Sequence, residues 1–447
     1  MADQSPDRSG AQGAGGTIVA CATPPGRGGV AVIRVSGTAV RGIAAEMLGT
    51  LPAARSACLA SLRDSSGELL DRGLALFFPA PNSFTGEDVL ELQVHGSPVV
   101  CDLLTARICE LGARPAGPGE FSRRAFLNDR MDLSQAEAVA DLIDAASGAA
   151  ARAAARSLRG AFSEAVEELV SRLIGLRAHL EATLDFPDEE INPLEDSALK
   201  EGFGELGKRF VRVTEAAERG RILRDGLNVV ISGPPNAGKS SLMNALAGES
   251  AAIVADEPGT TRDLVRAHVG IRGVPVELVD TAGLRSAGGD VEREGVRRAR
   301  SAREQADLVL DVWDAAAGGP EPRPGERTIV VRNKIDLTGE PPGLLRDAAV
   351  NVSARTGAGL DVLRGLLAGA AGGAGEGAFS ARSRHVNSLK EARRRYLAAG
   401  ALFVEGHSAE VVAEELRLAQ EHLGEITGAV SSDDLLGEIF SQFCIGK

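Results

Sequence analysis

A chain of 447 residues exceeds what one hydrophobic core sustains, so two or three domains are expected. The balance of 44% hydrophobic to 25% charged residues is that of a globular protein, which excludes a wholly disordered chain, and no apolar run reaches membrane-spanning length. A net charge of −13 excludes a surface that grips nucleic acid throughout, so any RNA contact has to be a local patch.

Residues 1–16 (MADQSPDRSGAQGAGG) are small and polar and lack the apolar stretch of a signal peptide, which predicts a disordered tail on a cytoplasmic protein. Over 17–122, short β-rich runs (TIVACA, VAVIRVSG, LALFFPA, VLELQVHG) broken by Gly and Pro predict a small α/β domain. Residues 123–221 change character, and from Met131 to Leu184 apolar positions recur at three and four spacing, interrupted only by isolated glycines. That reads as a helical segment. Over 222–373, the runs LNVVISG, VPVELVD, ADLVLDVWD, RTIVVRN and AAVNVS each precede a loop and a helix-like stretch, the order of a doubly wound α/β sheet. The Gly/Ala run AGAAGGAGEGA closes this domain as a flexible connection. Residues 374–447 return to helical periodicity, so the two helical stretches are expected to form one bundle with the α/β domain inserted between them.

Five cysteines without CxxC spacing imply neither a disulfide framework nor a zinc site. The densest basic stretch, RSRHVNSLKEARRR from Arg382 to Arg395, is either an RNA-facing patch or a solvated helix face.

The inserted domain carries the chemistry. Gly233 to Ser240 (GPPNAGKS) follows a predicted strand and precedes a predicted helix, the context of a phosphate-binding P-loop. There Asn236, Ala237, Gly238, Lys239, Ser240 and Ser241 face the phosphates: backbone N–H groups and Lys239 meet the charge, and the Ser240 hydroxyl binds magnesium. Asp280-Thr281-Ala282-Gly283 ends the next strand, placing a carboxylate near magnesium and an amide near the γ-phosphate. Asn333-Lys334-Ile335-Asp336 selects guanine, because one carboxylate accepts from both N1–H and the 2-amino group, a donor pair adenine lacks. Ser353-Ala354-Arg355 offers a backbone amide to the guanine carbonyl. Gly259-Thr260-Thr261 is the switch element, with Thr261 the second magnesium hydroxyl. These motifs in this order predict a P-loop GTPase using GTP and Mg2+. Leu284 stands where a Ras-type enzyme has the water-orienting glutamine. Glu292 is the replacement, or else a helix-surface acid, and the Asn236 side chain is positioned to ligate a monovalent cation.

The segments TIVACATPPGRGGVAVIRVSG, PNSFTGEDVLELQVHG, GEFSRRAFLNDRMDLSQAEAVADLIDA, GPPNAGKSSLMNAL, GTTRD and SSDDLLGEIFSQFCIGK resemble the tRNA modification GTPases called MnmE or TrmE, over nearly the whole chain. The resemblance implies an N-terminal folate-binding and dimerising α/β domain, a helical domain and an inserted GTPase domain. It implies a homodimer whose GTPase domains meet when GTP and K+ are bound, working on tRNA with the flavin-dependent partner MnmG (GidA) in a heterotetramer or larger complex. The implied product carries a carboxymethylaminomethyl or aminomethyl group at C5 of the wobble uridine, with 5,10-methylenetetrahydrofolate as carbon donor and a 5-formyltetrahydrofolate analogue as the alternative occupant of the folate site. Carried onto this sequence, Asn236, Ala255, Glu257 and Thr260 form the potassium site within the loop that includes Asp256, Pro258 and Gly259. Ser240 and Thr261 ligate magnesium, Glu292 orients water, and Arg34, Glu91, Arg130 and Lys447 bind the folate. Cys444 is either a catalytic thiol beside the folate or an inert one; the following Ile-Gly-Lys is no prenylation box.

A competing reading is a regulatory GTPase in ribosome assembly or translation. It calls for an RNA-binding module, whereas no KH-type loop is evident and aromatics are only 3% of the chain. A folate-binding scaffold with residual GTPase activity is the third.

Overall fold

The computed structural model describes residues 16–185, 196–248, 265–280, 297, 300–317, 325, 327–346, 348–370, 379–430 and 432–446. The chain divides into two compact units, one of residues 1–140 with 423–447 and one of residues 141–422.

In the first unit, alternating apolar residues build a six-stranded sheet from β1 (Thr17–Cys21), β2 (Gly28–Ser36), β3 (Cys58–Arg63), β4 (Leu69–Phe78), β5 (Val89–Gly96) and β6 (Ala113–Pro115), in the order β3-β4-β5-β2-β1-β6. Only β6 joins in parallel, on β1. One face, with Val19, Ile33, Val35, Leu90 and Leu92, packs on α1 (Val40–Leu48) and α2 (Pro98–Glu110) through Ile43, Met47, Leu104 and Ile108. The strand period of two sends Ile18, Ala20, Arg34 and Glu91 to the other face, where Ile18 and Ala20 meet Phe121 of α3 (Glu120–Leu127). Close by, Leu133 and Ala136 of α4 (Leu133–Ile143) pack on Leu436, Ile439 and Phe440 of the helix Asp433–Ser441, which fastens the C-terminal segment to this unit.

Glu120 anchors the α3 end of that face, with Arg114 at 2.8 Å, Arg124 at 3.0 Å and the Gly117 N–H at 2.9 Å. Burial pushes its pKa up, but the hydrogen bonds from Arg114, Gly117 and Arg124 outweigh burial and hold it at about 2. A depressed carboxylate stabilises fully above its ordinary value of 4.5 and ceases to do so as pH falls through about 2. Glu120→Gln is therefore expected to flatten the acid side of a thermal-unfolding series across that window. An acid slope identical to that of the parent protein would exclude the ion cluster as its cause.

In the second unit, near-continuous apolar runs form a seven-stranded sheet: β7 (Leu227–Ser232), β8 (Val265–Ile271), β9 (Val274–Asp280), β10 (Leu308–Asp314), β11 (Thr328–Asn333), β12 (Gly343–Arg346) and β13 (Ala349–Asn351). The order is β12-β13-β11-β10-β7-β9-β8, parallel in the centre, with antiparallel β8 and β12 at the edges. Val229, Ile231, Leu310 and Val331 meet α8 (Lys239–Ala247) and α10 (Leu360–Ala370) in one core, and a single short helix, α9 (Ile335–Thr338), follows β11.

Besides α8, α9 and α10, this unit contains α5 (Gly148–Leu158), α6 (Ala161–Asp185), α7 (Ser197–Asp225), α11 (Ser383–Val404) and most of α12 (Ala409–Thr427); the helix Asp433–Ser441 is α13. The helical segment read from 131 to 184 comprises α4, α5 and α6. Ser147 caps α5 by accepting the Ala150 N–H, and Gly160, at φ 95°, takes the left-handed conformation that ends it. Phe203, Phe210, Tyr396 and Phe403 stack between α7 and α11, and the Tyr396 hydroxyl donates to the Phe203 carbonyl.

Asp141, 7% exposed, stands where the chain enters and leaves the inserted sheet. It accepts from Arg224 at the end of α7 (2.7 Å) and, on the returning segment, from Ser380 (2.6 Å) and Arg382 (2.9 Å). Ser157 of α5 donates to the Ser380 carbonyl at 2.9 Å. The basic stretch 382–395 is largely spent on such contacts. Besides Arg382 on Asp141, Lys390 pairs with Glu218, Arg394 with Glu391 and Arg395 with Glu415.

Candidate functional site

The phosphate loop turns between β7 and α8. Gly233 has φ 138°, and a Cβ there would lie 2.2 Å from the Val312 carbonyl; Gly238 has φ 89°, and a Cβ would lie 2.3 Å from Asn333 Nδ2. Only glycine fits either position. Asn236 at the loop tip holds φ 63° with its side chain exposed, and Ala237 is buried beneath. Lys239, 7% exposed, donates to the carbonyls of Gly233 (3.1 Å) and Pro234 (2.9 Å), so its ammonium is already folded over the loop that has to meet phosphate. Ser240 donates to Asp280 Oδ2 at 2.7 Å, and Ser241 is exposed on the next position of α8. Hydroxyl and carboxylate converge because Asp280 ends β9 opposite Ile231 of β7. This hard-oxygen pair suits magnesium.

A second loop cluster adjoins it. The Asn333 amide donates to the Ala237 carbonyl (3.0 Å) and accepts from Ala354 N–H (3.0 Å), tying the phosphate loop to both guanine-motif loops. Lys334, at φ 66°, donates to the Asn236 carbonyl (2.6 Å) and to Asp314 Oδ2 (2.7 Å). Asp336 accepts from the Ser353 hydroxyl at 2.7 Å and pairs with Arg355 at 2.8 Å. The Ser353 hydrogen bond, aided by the Arg355 charge against a smaller effect of burial, holds this carboxyl below the usual carboxylate range. It is an ionised acceptor at neutral pH, as guanine recognition demands. Asp314 escaped the sequence reading. Its signal was an acid closing an apolar parallel strand, in register with Asn333 one strand away.

In the first unit, Arg34 and Glu91 are cross-strand partners and form an ion pair at 2.8 Å, each side chain 20% exposed. The Arg34 guanidinium lies over the rings of Phe84 (5.3 Å) and Phe121 (5.7 Å). Its NH1 donates to the Gly446 carbonyl at 3.5 Å, so the C-terminal segment reaches this face. Pro118 bridges Ile445, and exposed Cys444 accepts from the Gly119 N–H through its carbonyl at 3.4 Å. Arg130 passes beside Gly86, its Cγ 3.2 Å from where a Cβ would stand. This face thus carries an ion pair and a guanidinium over two aromatic rings, with the backbone of the C-terminal segment beside them. Arg124, which pairs with Glu87 at 3.0 Å beneath this face, was also missed; a charged residue on the buried stripe of α3 was its signal.

Residues 17–130 match the family model of the GTP-binding protein TrmE N-terminus, and residues 133–444 match that of the MnmE helical domain. A tRNA modification GTPase MnmE of Alkalilimnicola ehrlichii is 54% identical over 96% of this chain and 99% of its own length. The chain belongs to the MnmE family. The MnmE of Yersinia pseudotuberculosis is 53% identical over the same shares of both chains. Among solved structures, the G domain of the T. maritima FeoB iron transporter is 26% identical, covering 32% of this chain and 98% of that one, with a TM-score of 0.26.

For this MnmE-family chain, the structure brings together Asn236 to Ser241, Asp280, Asn333, Lys334, Asp336 and Ser353 to Arg355 in one site, and Arg34, Glu91 and the segment 444–446 in another. Ala255, Asp256, Glu257, Pro258, Gly259, Thr260, Thr261, Thr281, Ala282, Gly283, Leu284, Glu292 and Lys447 lie outside the described residues. No described helix is long and apolar enough to cross a membrane.

Proposed function

We propose that this chain hydrolyses GTP to GDP and phosphate, and that turnover serves the addition of a carboxymethylaminomethyl or aminomethyl group at C5 of the wobble uridine of tRNA. The observation that carries the reading is the Asn333 side chain joining the phosphate loop to the loop beside Asp336, so that triphosphate and guanine are gripped by one hydrogen-bonded frame. Lys239 exchanges its two loop carbonyls for phosphate oxygens when nucleotide binds, a rearrangement within reach of a side chain already aimed there. Asp336 takes the guanine donors while Ser353 keeps its carboxylate oriented. Ser240 and Thr261 would hold magnesium, with Asp280 reaching it through water, and the ion would supply positive charge beside the β- and γ-phosphates.

Asn236 would contribute its amide oxygen to a potassium ion, with Ala255, Glu257 and Thr260 completing the ligand set, and Glu292 is the residue we assign to orienting water. Arg34, Glu91, Arg130 and Lys447 are assigned to a methylenetetrahydrofolate, which supplies the one-carbon unit, and Cys444 is the nearby thiol. The proposed assembly is a cytoplasmic homodimer working with the flavoprotein MnmG.

Hydrolysis is expected to run at least about ten-fold faster in potassium than in sodium, the scale of losing a preorganised charge-stabilising group. Asn236→Ala should erase the difference, and equal parent rates in the two salts would dispose of the cation assignment. The wider reading is tested by mass spectrometry of tRNA nucleosides from a deletion strain. Loss of the wobble modification, restored by the parent gene and not by Lys239→Ala, is expected; an unaltered nucleoside profile would defeat it.

A further inference from the structure

In a chain of net charge −13, a polyanion can be held only where cations gather and remain unpaired. The stretch 382–395 meets that requirement poorly, because Arg382, Lys390, Arg394 and Arg395 are engaged by acids and Arg384 is engaged within the protein, which leaves only half-buried Arg393 there. Helix α5 meets it. From Ala145 to Ser163 there is no acidic residue, and the segment carries Arg152, Arg156 and Arg159. The helix buries Ala150, Ala153, Ala154 and Ser157, which puts the arginines, spaced i, i+4 and i+7, on the opposite face. Arg152 and Arg159 are exposed, and among the described residues their side chains make no hydrogen bond or ion pair. Half-buried Arg156, between them, is engaged within the protein.

The small buried face keeps this helix fixed. Ala153 packs on Leu223 of α7, and the Ala153 carbonyl accepts from Ser380 N–H at 3.2 Å, so the arginines project from a rigid support. Arg159 is the C-cap residue of α5, and the rise of the helix sets it about 10 Å from Arg152. Guanidinium groups are suited to phosphate through paired N–H donors. With alanines between them and no aromatic on the helix, the face has nothing to stack on or read a base.

We infer that the exposed face of α5, through Arg152 and Arg159, is a sequence-independent contact for the phosphate backbone of folded RNA, holding the tRNA at a place other than its reacting base. This inference rests on the tRNA reading above.

The test is fluorescence anisotropy of labelled, unmodified tRNA against the full-length protein over a series of salt concentrations. Replacing both residues, Arg152→Gln with Arg159→Gln, is expected to weaken binding about ten-fold and to reduce the slope of log affinity against log salt by roughly 1.5, the release expected for two phosphate contacts. The pair Arg152→Lys with Arg159→Lys keeps the charges and should retain most of the slope; it also serves if the glutamine pair lowers the thermal unfolding midpoint. Arg394→Gln, which removes an arginine already paired with Glu391, should leave both quantities unchanged. Parent-like affinity and slope in the glutamine pair, or an equal loss in Arg394→Gln, would overturn the assignment to α5 while leaving tRNA as substrate. A parent protein that binds no tRNA at any salt would overturn the inference together with the tRNA reading itself.

Discussion

Asp336→Asn is expected to lower GTP affinity by about 10²–10³-fold and to raise affinity for xanthosine triphosphate by a comparable factor. Guanine presents two donors to this carboxylate, each charge-assisted bond is worth about 1.5–3 kcal/mol, and 1.4 kcal/mol is a factor of ten. An amide keeps one acceptor and turns the other position into a donor, which suits the carbonyl of xanthine. Ser353 can still donate to the remaining oxygen, so the loop should hold its shape. Loss of the exposed Arg355 pairing contributes little, because that arginine side chain is 75% exposed. Calorimetric titration with both nucleotides is the measurement, and undiminished preference for GTP would remove Asp336 from the base site.

The largest stability effect is expected at Asp141. Its replacement by alanine takes the carboxylate from the buried Arg382 and from Arg224 and strands the Ser380 hydroxyl. Breaking a buried, hydrogen-bonded ion pair by removing one partner costs about 3–5 kcal/mol. Asp141→Asn, which keeps an acceptor for Ser380, should cost less than Asp141→Ala. Urea unfolding followed by circular dichroism distinguishes the two. An alanine variant within about 1 kcal/mol of the parent would mean that the cluster is not what ties α7 to the returning segment. For comparison, most single substitutions destabilise by 0.5–3 kcal/mol.

The nucleotide site was legible wherever its chemistry sits on consecutive residues. The phosphate loop is one run from Gly233 to Ser240, and Asn333 to Asp336 is another, each at the end of an apolar strand; both positions follow from the rule that ligands bind beyond the carboxyl ends of parallel strands. Asp314 was not legible, since it acts on Lys334 only through the pairing of β10 with β11. The Arg34–Glu91 pair came from family resemblance, and its physical basis is the antiparallel register of β2 and β5, which residue order does not display. Where the helical segment divides was less legible, because Ser147, the N-cap of α5, has alanine-rich sequence on both sides.

Short-range order was thus written along the chain: alternation made the strands of the first sheet, apolar runs made the buried strands of the second, and glycines with left-handed dihedrals shaped the phosphate loop. Packing between distant segments settled the rest. The basic run 382–395 looked open to RNA until Asp141, Glu218 and Glu415 engaged Arg382, Lys390 and Arg395, whereas Arg152 and Arg159 stayed unpaired among the described residues. Whether a charge is available to a ligand depends on which other charges the fold delivers within hydrogen-bonding reach. That is a property of three-dimensional proximity, and residue order does not carry it.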